Sequence, residues 1–276
     1  MRISGTTRLI AHIGFPTESF KAPLIYNPYF AARGIDAVVV PHGCKADDFP
    51  AFLRIVSRLS NFHGALITMP HKVTTLDLLD DASTAARIAG ACNAVRLDAA
   101  GRLVGDMFDG EGFVRGVRNK GHRLEGARAL VIGCGGVGSA IAASLAASHV
   151  GSLGLFDSNA ASMHALAARL AHHYRSLAIM TGSNDATGWD IVVNATPLGL
   201  SASDPLPVDP DHLAPTTFVG EVVMSREETP LLAAARARGC ATQIGLDMLF
   251  EQIPAYLEFF DFPTATPDEL RYLAQV

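Results

Sequence analysis

A chain of 276 residues with a formal net charge of −5, 49% hydrophobic and 18% charged residues carries ample core for one large or two ordinary domains and little scope for disorder. The acidic balance and the lack of a basic run exclude a nucleic-acid binder, and no apolar run approaches membrane-spanning length, which excludes a membrane partner. Four widely spaced cysteines (Cys44, Cys92, Cys134 and Cys240) form no C-x-x-C and read as reduced thiols of a cytoplasmic protein, and ten scattered histidines give no ligand-spaced metal set.

Strand-like and helix-like segments alternate along the chain. Strands are expected over 8–13 and 37–40, a helix over 46–60 with Phe49, Phe52, Leu53, Val56 and Leu59 at helical spacing, and a strand over 65–69 ended by Pro70. A helix over 73–79 follows. Strands over 94–97 and 103–105 flank a turn, and a helix over 111–118 leads into the second half. There, strands over 129–132, 152–156, 191–194, 218–223 and 241–244 alternate with helices over 138–147, 161–172, 230–238 and 246–259. This rhythm predicts parallel sheets covered on both faces.

The most informative stretch begins where the apolar run 129–132 stops at a glycine. Gly133, Gly135 and Gly138 form G-x-G-x-x-G, with Gly136 and Val137 inside it, and an alanine-rich helical pattern follows. Strand, tight turn and helix are the context in which this spacing signals a dinucleotide site. The first glycine allows the turn, the second lets the backbone approach a pyrophosphate, and the third allows close helix–strand packing. The helix N-terminus offers N–H groups and a positive dipole end to the phosphates. The next strand ends at Asp157, 24 residues after Gly133. A carboxylate there accepts hydrogen bonds from the adenosine ribose and repels a 2′-phosphate, and Ser158 and Asn159 bring no arginine. NAD is therefore expected over NADP, with NADP as the second cofactor. Asp157 as a cap of the next helix is the plainer role for the same residue.

The chain thus reads as α/β with two domains. Residues 1–104 form an N-terminal α/β domain for substrate binding and catalysis. Residues 105–244 form a Rossmann-type, doubly wound dinucleotide-binding domain. C-terminal helices within 245–276 pack back on the first domain, with the reactive site expected between the two halves. In the first half, Lys72 stands just beyond a strand-ending proline, and Asp109 lies at the domain junction. An aspartate within reach would fix the lysine ammonium, and the two could move a proton while hydride goes to a nicotinamide.

Seven ordered blocks carry a resemblance. Gly14-Phe15-Pro16 through Lys21-Ala22-Pro23 resembles G-N-P-I-x-H-S-x-S-P. Ile67 to Lys72 resembles V-T-x-P-x-K, Gly90 to Val95 G-A-V-N-T-V, and Gly105 to Gly110 G-D-N-T-D-G. Asn194-Ala195-Thr196 through Gly199 is similar to N-A-T-x-x-G, Thr229 to Leu232 to T-P-x-L, and Gly245 to Gln252 to G-x-x-M-L-x-x-Q. These patterns are those of the shikimate dehydrogenase family, and the resemblance covers nearly the whole chain. It implies reduction of a cyclic ketone, 3-dehydroshikimate, to an alcohol, usually with NADPH. It also implies that Lys72 and Asp109 are the catalytic pair, that Thr68, Asn93 and Gln252 hydrogen-bond ring hydroxyls, and that Asn194, Ala195 and Thr196 belong to the cofactor site.

The departures cluster. Phe20 and Ala22 stand where the family has two serines that hold the substrate carboxylate. Leu66 replaces an asparagine, and Met224 a tyrosine. Met107 and Phe108 replace Asn and Thr beside Asp109, which predicts an apolar catalytic wall. Losing two hydrogen bonds to a charged group costs roughly 3–6 kcal/mol, or about 10²–10⁴ in affinity for shikimate. An NAD-preferring oxidoreductase of a shikimate-like or less polar cyclic hydroxy or keto compound is the expectation. An ordinary shikimate or quinate dehydrogenase with a repositioned carboxylate site, and a nucleotide-binding regulator on an enzyme scaffold, remain the alternatives. A homodimer is left open.

Overall fold

The computed structural model describes residues 2–201 and 203–274. The chain forms two compact units, Met1–Phe108 with Ile253–Val276, and Asp109–Gln252. These limits lie four and eight residues beyond the 104/105 and 244/245 divisions read from the sequence.

The first unit contains β1 (Arg8–Gly14), α1 (Ala22–Arg33), β2 (Ala37–Gly43), α2 (Phe49–Val56), β3 (Phe62–Ile67), α3 (Lys72–Leu76), β4 (Asp81–Ala82), α4 (Thr84–Ala89), β5 (Ala94–Leu97) and β6 (Leu103–Asp106). Its sheet runs β2-β1-β3-β5-β6-β4. The expectation of a parallel sheet fails here: β1, β2 and β3 are parallel, but β5 is antiparallel to both β3 and β6. The short link from β5 to β6 is the cause, because parallel strands need a crossover of a dozen residues or more. On one face, Ala11 and Ile13 of β1 and Ala65 and Ile67 of β3 pack with Phe49, Leu53 and Val56 of α2. His12, Gly14 and Leu66 alternate onto the other face.

Helix α1 was not among the elements read from the sequence, and it carries Pro28 in its interior, where the ring removes a helical hydrogen bond. Tertiary contacts hold it. Ile25, Tyr26, Tyr29 and Phe30 are buried, and the Asn27 amide pairs with both backbone groups of Val39 at 3.0 and 2.8 Å. The helix expected over 46–60 is shorter, at Phe49–Val56. Helix α4, strand β4 and the last helix also escaped the pattern reading, being six, two and seven residues long.

The second unit contains α5 (Asp109–Asn119), β7 (Arg128–Ile132), α6 (Gly136–Ala147), β8 (Ser152–Phe156), α7 (Ala160–His173), β9 (Ala178–Thr181), β10 (Ile191–Asn194), β11 (Phe218–Glu221), α8 (Pro230–Ala237), β12 (Ala241–Gln243) and the start of α9 (Gly245–Phe259). Its sheet is parallel throughout, in the order β12-β11-β10-β7-β8-β9. This is the doubly wound Rossmann order, whose switch point lies between β7 and β10. Helix α5 lies directly on α6: a Cβ on Gly110 would overlap the Ala140 carbonyl and stand 2.6 Å from Ser144 Oγ.

The C-terminal segment packs on the first sheet, as expected. Tyr29 Oη donates to Pro263 O at 2.7 Å, the rings of Phe30 and Phe262 are 4.9 Å apart, and Arg33 pairs with Glu269 of α10 (Pro267–Leu273) at 2.6 Å. Among the described residues, no helix is long and apolar enough to cross a membrane.

Candidate active site

Strand β7 ends in the glycine loop. Gly133 has φ +98°, and a Cβ there would stand 2.8 Å from the Ala195 carbonyl. A Cβ on Gly138 would overlap the Gly133 carbonyl oxygen and press on Ala195 Cβ at 3.1 Å. Both positions therefore need glycine. Gly135 and Gly136 are exposed, with nothing within 4 Å of an added Cβ. The first helical bond of α6 runs from Ser139 N–H to Gly135 O at 2.8 Å. The amides of Gly136, Val137 and Gly138 thus stand at the open end of a 12-residue helix. An accessible backbone cradle of this kind fits the pyrophosphate of a dinucleotide.

The Asp157 carboxylate braces the loop. It accepts from Cys134 N–H at 2.6 Å and from Asn159 N–H at 2.8 Å. The cap of α7 is Asn159, which accepts from the amides of Ala161 and Ser162, so Asp157 is not the helix cap. Burial pushes the Cys134 thiol up to about 12, with Asp157 adding to the rise and Arg169 opposing it. Arg169, on α7, therefore lies close enough to act on the loop, and reading only the residues next to Asp157 missed it.

Beside this loop, β10 delivers Asn194. Its Oδ1 accepts from Thr196 N–H at 3.1 Å and from Thr196 Oγ1 at 2.6 Å, and its Nδ2 donates to Leu198 O at 2.9 Å. Nδ2 also reaches both oxygens of Glu221 at 3.1 and 3.2 Å, and Thr229 Oγ1 donates to Glu221 at 3.0 Å. Glu221 is 0% exposed and its pKa is raised by burial. The sequence reading did not single it out. Its signal was a carboxylate closing the apolar strand Phe218–Glu221.

Within the same unit, Asp109 is buried at the start of α5. One turn on, a Cβ at Gly112 would stand 2.6 Å from Gln252 Cβ, so Asp109 and Gln252 belong to neighbouring turns of two touching helices. Gln252 is 7% exposed, and its Oε1 is buried without a hydrogen-bond partner. Met224 follows β11 and is 44% exposed.

In the first unit, the loop after β3 carries Thr68, Met69, Pro70 and His71 into α3, which begins at Lys72. His71 anchors the turn: its ring bonds the Cys44 carbonyl at 2.8 Å and stacks on Phe49 at 4.1 Å. The Lys72 carbonyl accepts from Cys92 N–H at 2.8 Å, next to Asn93. Asn93 is buried, and its Oδ1 accepts from Phe108 N–H at 2.9 Å. Phe20, Leu66 and Thr68 gather around β1. A Cβ on Gly14 would stand 2.8 Å from the Phe20 ring, and Thr68 N–H donates to Ile13 O at 2.9 Å. Leu66 pairs in register with His12. Ala22 opens α1 and is half-buried.

Met107 and Phe108, expected as an apolar wall beside Asp109, are buried like Asp109 itself, and the Phe108 ring packs on Tyr256 and Phe259 of the C-terminal helix at 4.9 and 5.5 Å.

The sequence reading also missed His12. Its ring is 8% exposed and stacks on Phe20 at 4.1 Å. Burial, then His42, then Lys72 bring its pKa down to about 4 from 6.5. Between these values the folded chain holds fewer protons than the unfolded one, so stability falls as pH drops from about 6.5 toward 4. The full effect is on the order of 3 kcal/mol. Urea midpoints at pH 7 and 4.5 are expected to diverge less for His12→Asn than for the native protein. Equal divergence would contradict the assignment.

A model of the shikimate dehydrogenase substrate binding domain matches residues 13–95, and a ThiF family model matches residues 114–177. A shikimate dehydrogenase (NADP(+)) of Rubrobacter xylanophilus is 36% identical over 255 residues, covering 91% of this chain and 89% of the relative. The structure of shikimate 5-dehydrogenase from Listeria monocytogenes in complex with shikimate and NAD aligns with TM-score 0.92 at 26% identity, covering 99% and 98% of the two chains. The ligand-free 5-ketofructose reductase of Gluconobacter sp. strain CHM43 aligns with TM-score 0.89 at 26% identity, covering 98% of each.

Proposed function

This chain belongs to the shikimate dehydrogenase family, an NAD(P)-dependent oxidoreductase of CH–OH groups rather than a nucleotide-binding regulator, and on that premise we propose that it prefers NAD and interconverts the alcohol and ketone of a cyclic substrate less polar than shikimate. The observation that carries the substrate reading is the Phe20 ring stacked on His12, with Ala22 nearby in sequence, at the positions where the family's serines take a carboxylate. The structural neighbour named for 5-ketofructose, a keto sugar with no carboxylate, supports it.

In the proposed reaction, bound nicotinamide supplies or accepts the hydride. Lys72 moves the proton: in reduction its ammonium donates to the oxygen of the former carbonyl, and in oxidation the amine takes the hydroxyl proton. Asp109 is the carboxylate partner proposed for Lys72. Thr68, Asn93 and Gln252 hydrogen-bond the ring hydroxyls, and the buried, unpartnered Gln252 Oε1 suits that role. The backbone of Gly133, Gly135, Gly136, Val137 and Gly138 holds the pyrophosphate. Asn194, Ala195 and Thr196 line the neighbouring strand end, and Asp157 takes the ribose. The four free, buried cysteines suit a reducing compartment.

The test is kcat/KM with NAD and with NADP against shikimate, quinate and uncharged cyclic alcohols. NAD is expected to exceed NADP, and uncharged alcohols to exceed shikimate. Asp157→Ala, which removes the charge and leaves Arg169 near the loop, is expected to raise kcat/KM with NADP by about tenfold or more, the effect of a relieved like-charge contact. Equal or better NADP use by the native protein would overturn the cofactor reading. The shikimate dehydrogenase name of a 36% identical relative favours a second reading, an ordinary shikimate or quinate dehydrogenase with a displaced carboxylate site. Turnover of shikimate at least equal to every uncharged alcohol would decide for it.

A further inference from the structure

Strand β1 reads Arg-Leu-Ile-Ala-His-Ile-Gly, and its one interior polar residue is His12. Alternation puts His12 on the face of the first sheet that carries Gly14 and Leu66, opposite the aliphatic core of Ala11, Ile13, Ala65 and Ile67. Two of its neighbours, Phe20 and Leu66, are positions that depart from the family pattern, and a third is Lys72. Phe20 stacks on it at 4.1 Å with the planes 29° apart. Leu66 is its register partner on β3. The Lys72 side chain is near enough for its charge to act on the imidazole.

Among the described residues nothing bonds Nδ1, which is buried without a hydrogen-bond partner, while the buried His71 bonds the Cys44 carbonyl at 2.8 Å and the half-buried His63 the Phe260 carbonyl at 2.6 Å. A buried polar atom left without a partner is costly, and a bound group that supplies the partner recovers that cost. Phe20 and Leu66 have removed polar groups from this corner, and His12 is the polar group that stands there.

We propose that His12 is a specificity-determining residue of the substrate site, its imidazole hydrogen-bonding an uncharged hydroxyl or carbonyl oxygen of the substrate at the end where the family's serines take a carboxylate. This inference rests on the reading of a less polar substrate given above, and it assigns the residue that selects it. With its pKa brought down to about 4, the ring is neutral at physiological pH. It can exchange one hydrogen bond with an alcohol but brings no charge to neutralise a carboxylate.

The experiment is a binding titration into the enzyme saturated with NAD, using shikimate and the analogue in which CH2OH replaces the carboxylate. Turnover is not needed. The native protein is expected to bind the hydroxymethyl compound more tightly. His12→Phe, which keeps an aromatic ring against Phe20, is expected to weaken that compound by about tenfold, the size of one neutral hydrogen bond, and to leave shikimate and NAD affinity unchanged. His12→Asn or His12→Gln, which restores a polar atom near the place of Nδ1 or Nε2, is expected to recover part of the loss. A purely packing role would leave His12→Phe like the native protein, and that result overturns the inference while the substrate reading stands. Tighter binding of shikimate by the native protein overturns the substrate reading itself. Equal weakening of both compounds in His12→Phe overturns the selectivity assigned to His12.

Discussion

Lys72→Ala is expected to lower kcat by about 10²–10⁴-fold, the usual worth of a positioned acid–base group, with NAD affinity within about twofold of the native value. The separation of effects has a structural basis. Lys72 opens α3 in the first unit, whereas the backbone cradle proposed for the dinucleotide lies in the second, at Gly133–Gly138, braced by Asp157. The lysine backbone is held independently of its side chain, through the Cys92 amide on its carbonyl and the stacked, bonded His71 before it. Removing the side chain should therefore leave the loop in place, and the melting temperature is expected to stay within a few degrees. Lys72→Met, which keeps the length and loses the ammonium, is expected to be as inactive as Lys72→Ala. Activity near native in either variant would remove Lys72 from the chemistry. Single-turnover kinetics and NAD titration on the same preparations provide the check.

The second large effect is expected from paired substitutions in the glycine loop. Gly138→Ala puts a methyl group onto the Gly133 carbonyl oxygen and against Ala195. The neighbour is backbone and cannot rotate away, so either α6 or β7 must shift. Overpacking of this kind costs about 1–3 kcal/mol, and the shift moves the helix N-terminus away from the phosphates. Both stability and NAD affinity are expected to fall, the latter by at least about tenfold. Gly135→Ala is the contrast. Its φ of −72° suits any residue, and no atom lies within 4 Å of the new Cβ. The fold should be indifferent to it, yet the methyl group stands where a pyrophosphate must approach the chain. Unchanged melting with weakened NAD binding is therefore expected for Gly135→Ala, and loss of both for Gly138→Ala. If Gly135→Ala binds NAD normally, the loop is not the phosphate site.

Much of this molecule was legible in one dimension. Hydrophobic periodicity located the Rossmann strands to within a residue or two at β7, β8 and β10, because buried parallel strands must be apolar along their length. The glycine spacing marked the turn from β7 into α6, where the close approach of Gly133 to Ala195 and of Gly138 to Gly133 leaves no room for a side chain. The ordered blocks around Lys72, Asn93, Asp109 and Gln252 established the family, which is a property of sequence alone.

Other features required coordinates. Helix α1 runs through Pro28 because Tyr29, Phe30 and the Asn27–Val39 pair outweigh a lost helical bond, and tertiary packing routinely overrides local propensity. Met107 and Phe108 read as apolar neighbours of Asp109, but only the fold shows that the Phe108 ring joins an aromatic cluster with Tyr256 and Phe259, about 150 residues away. Glu221 and His12 look like ordinary strand residues in the chain. Only folding brings Asn194 and Thr229 onto the one, and Phe20 and Lys72 up to the other. Periodicity and spacing report what each segment must bury. Which distant side chain meets a buried polar group depends on sheet register and helix docking, and those arise from the sum of all contacts.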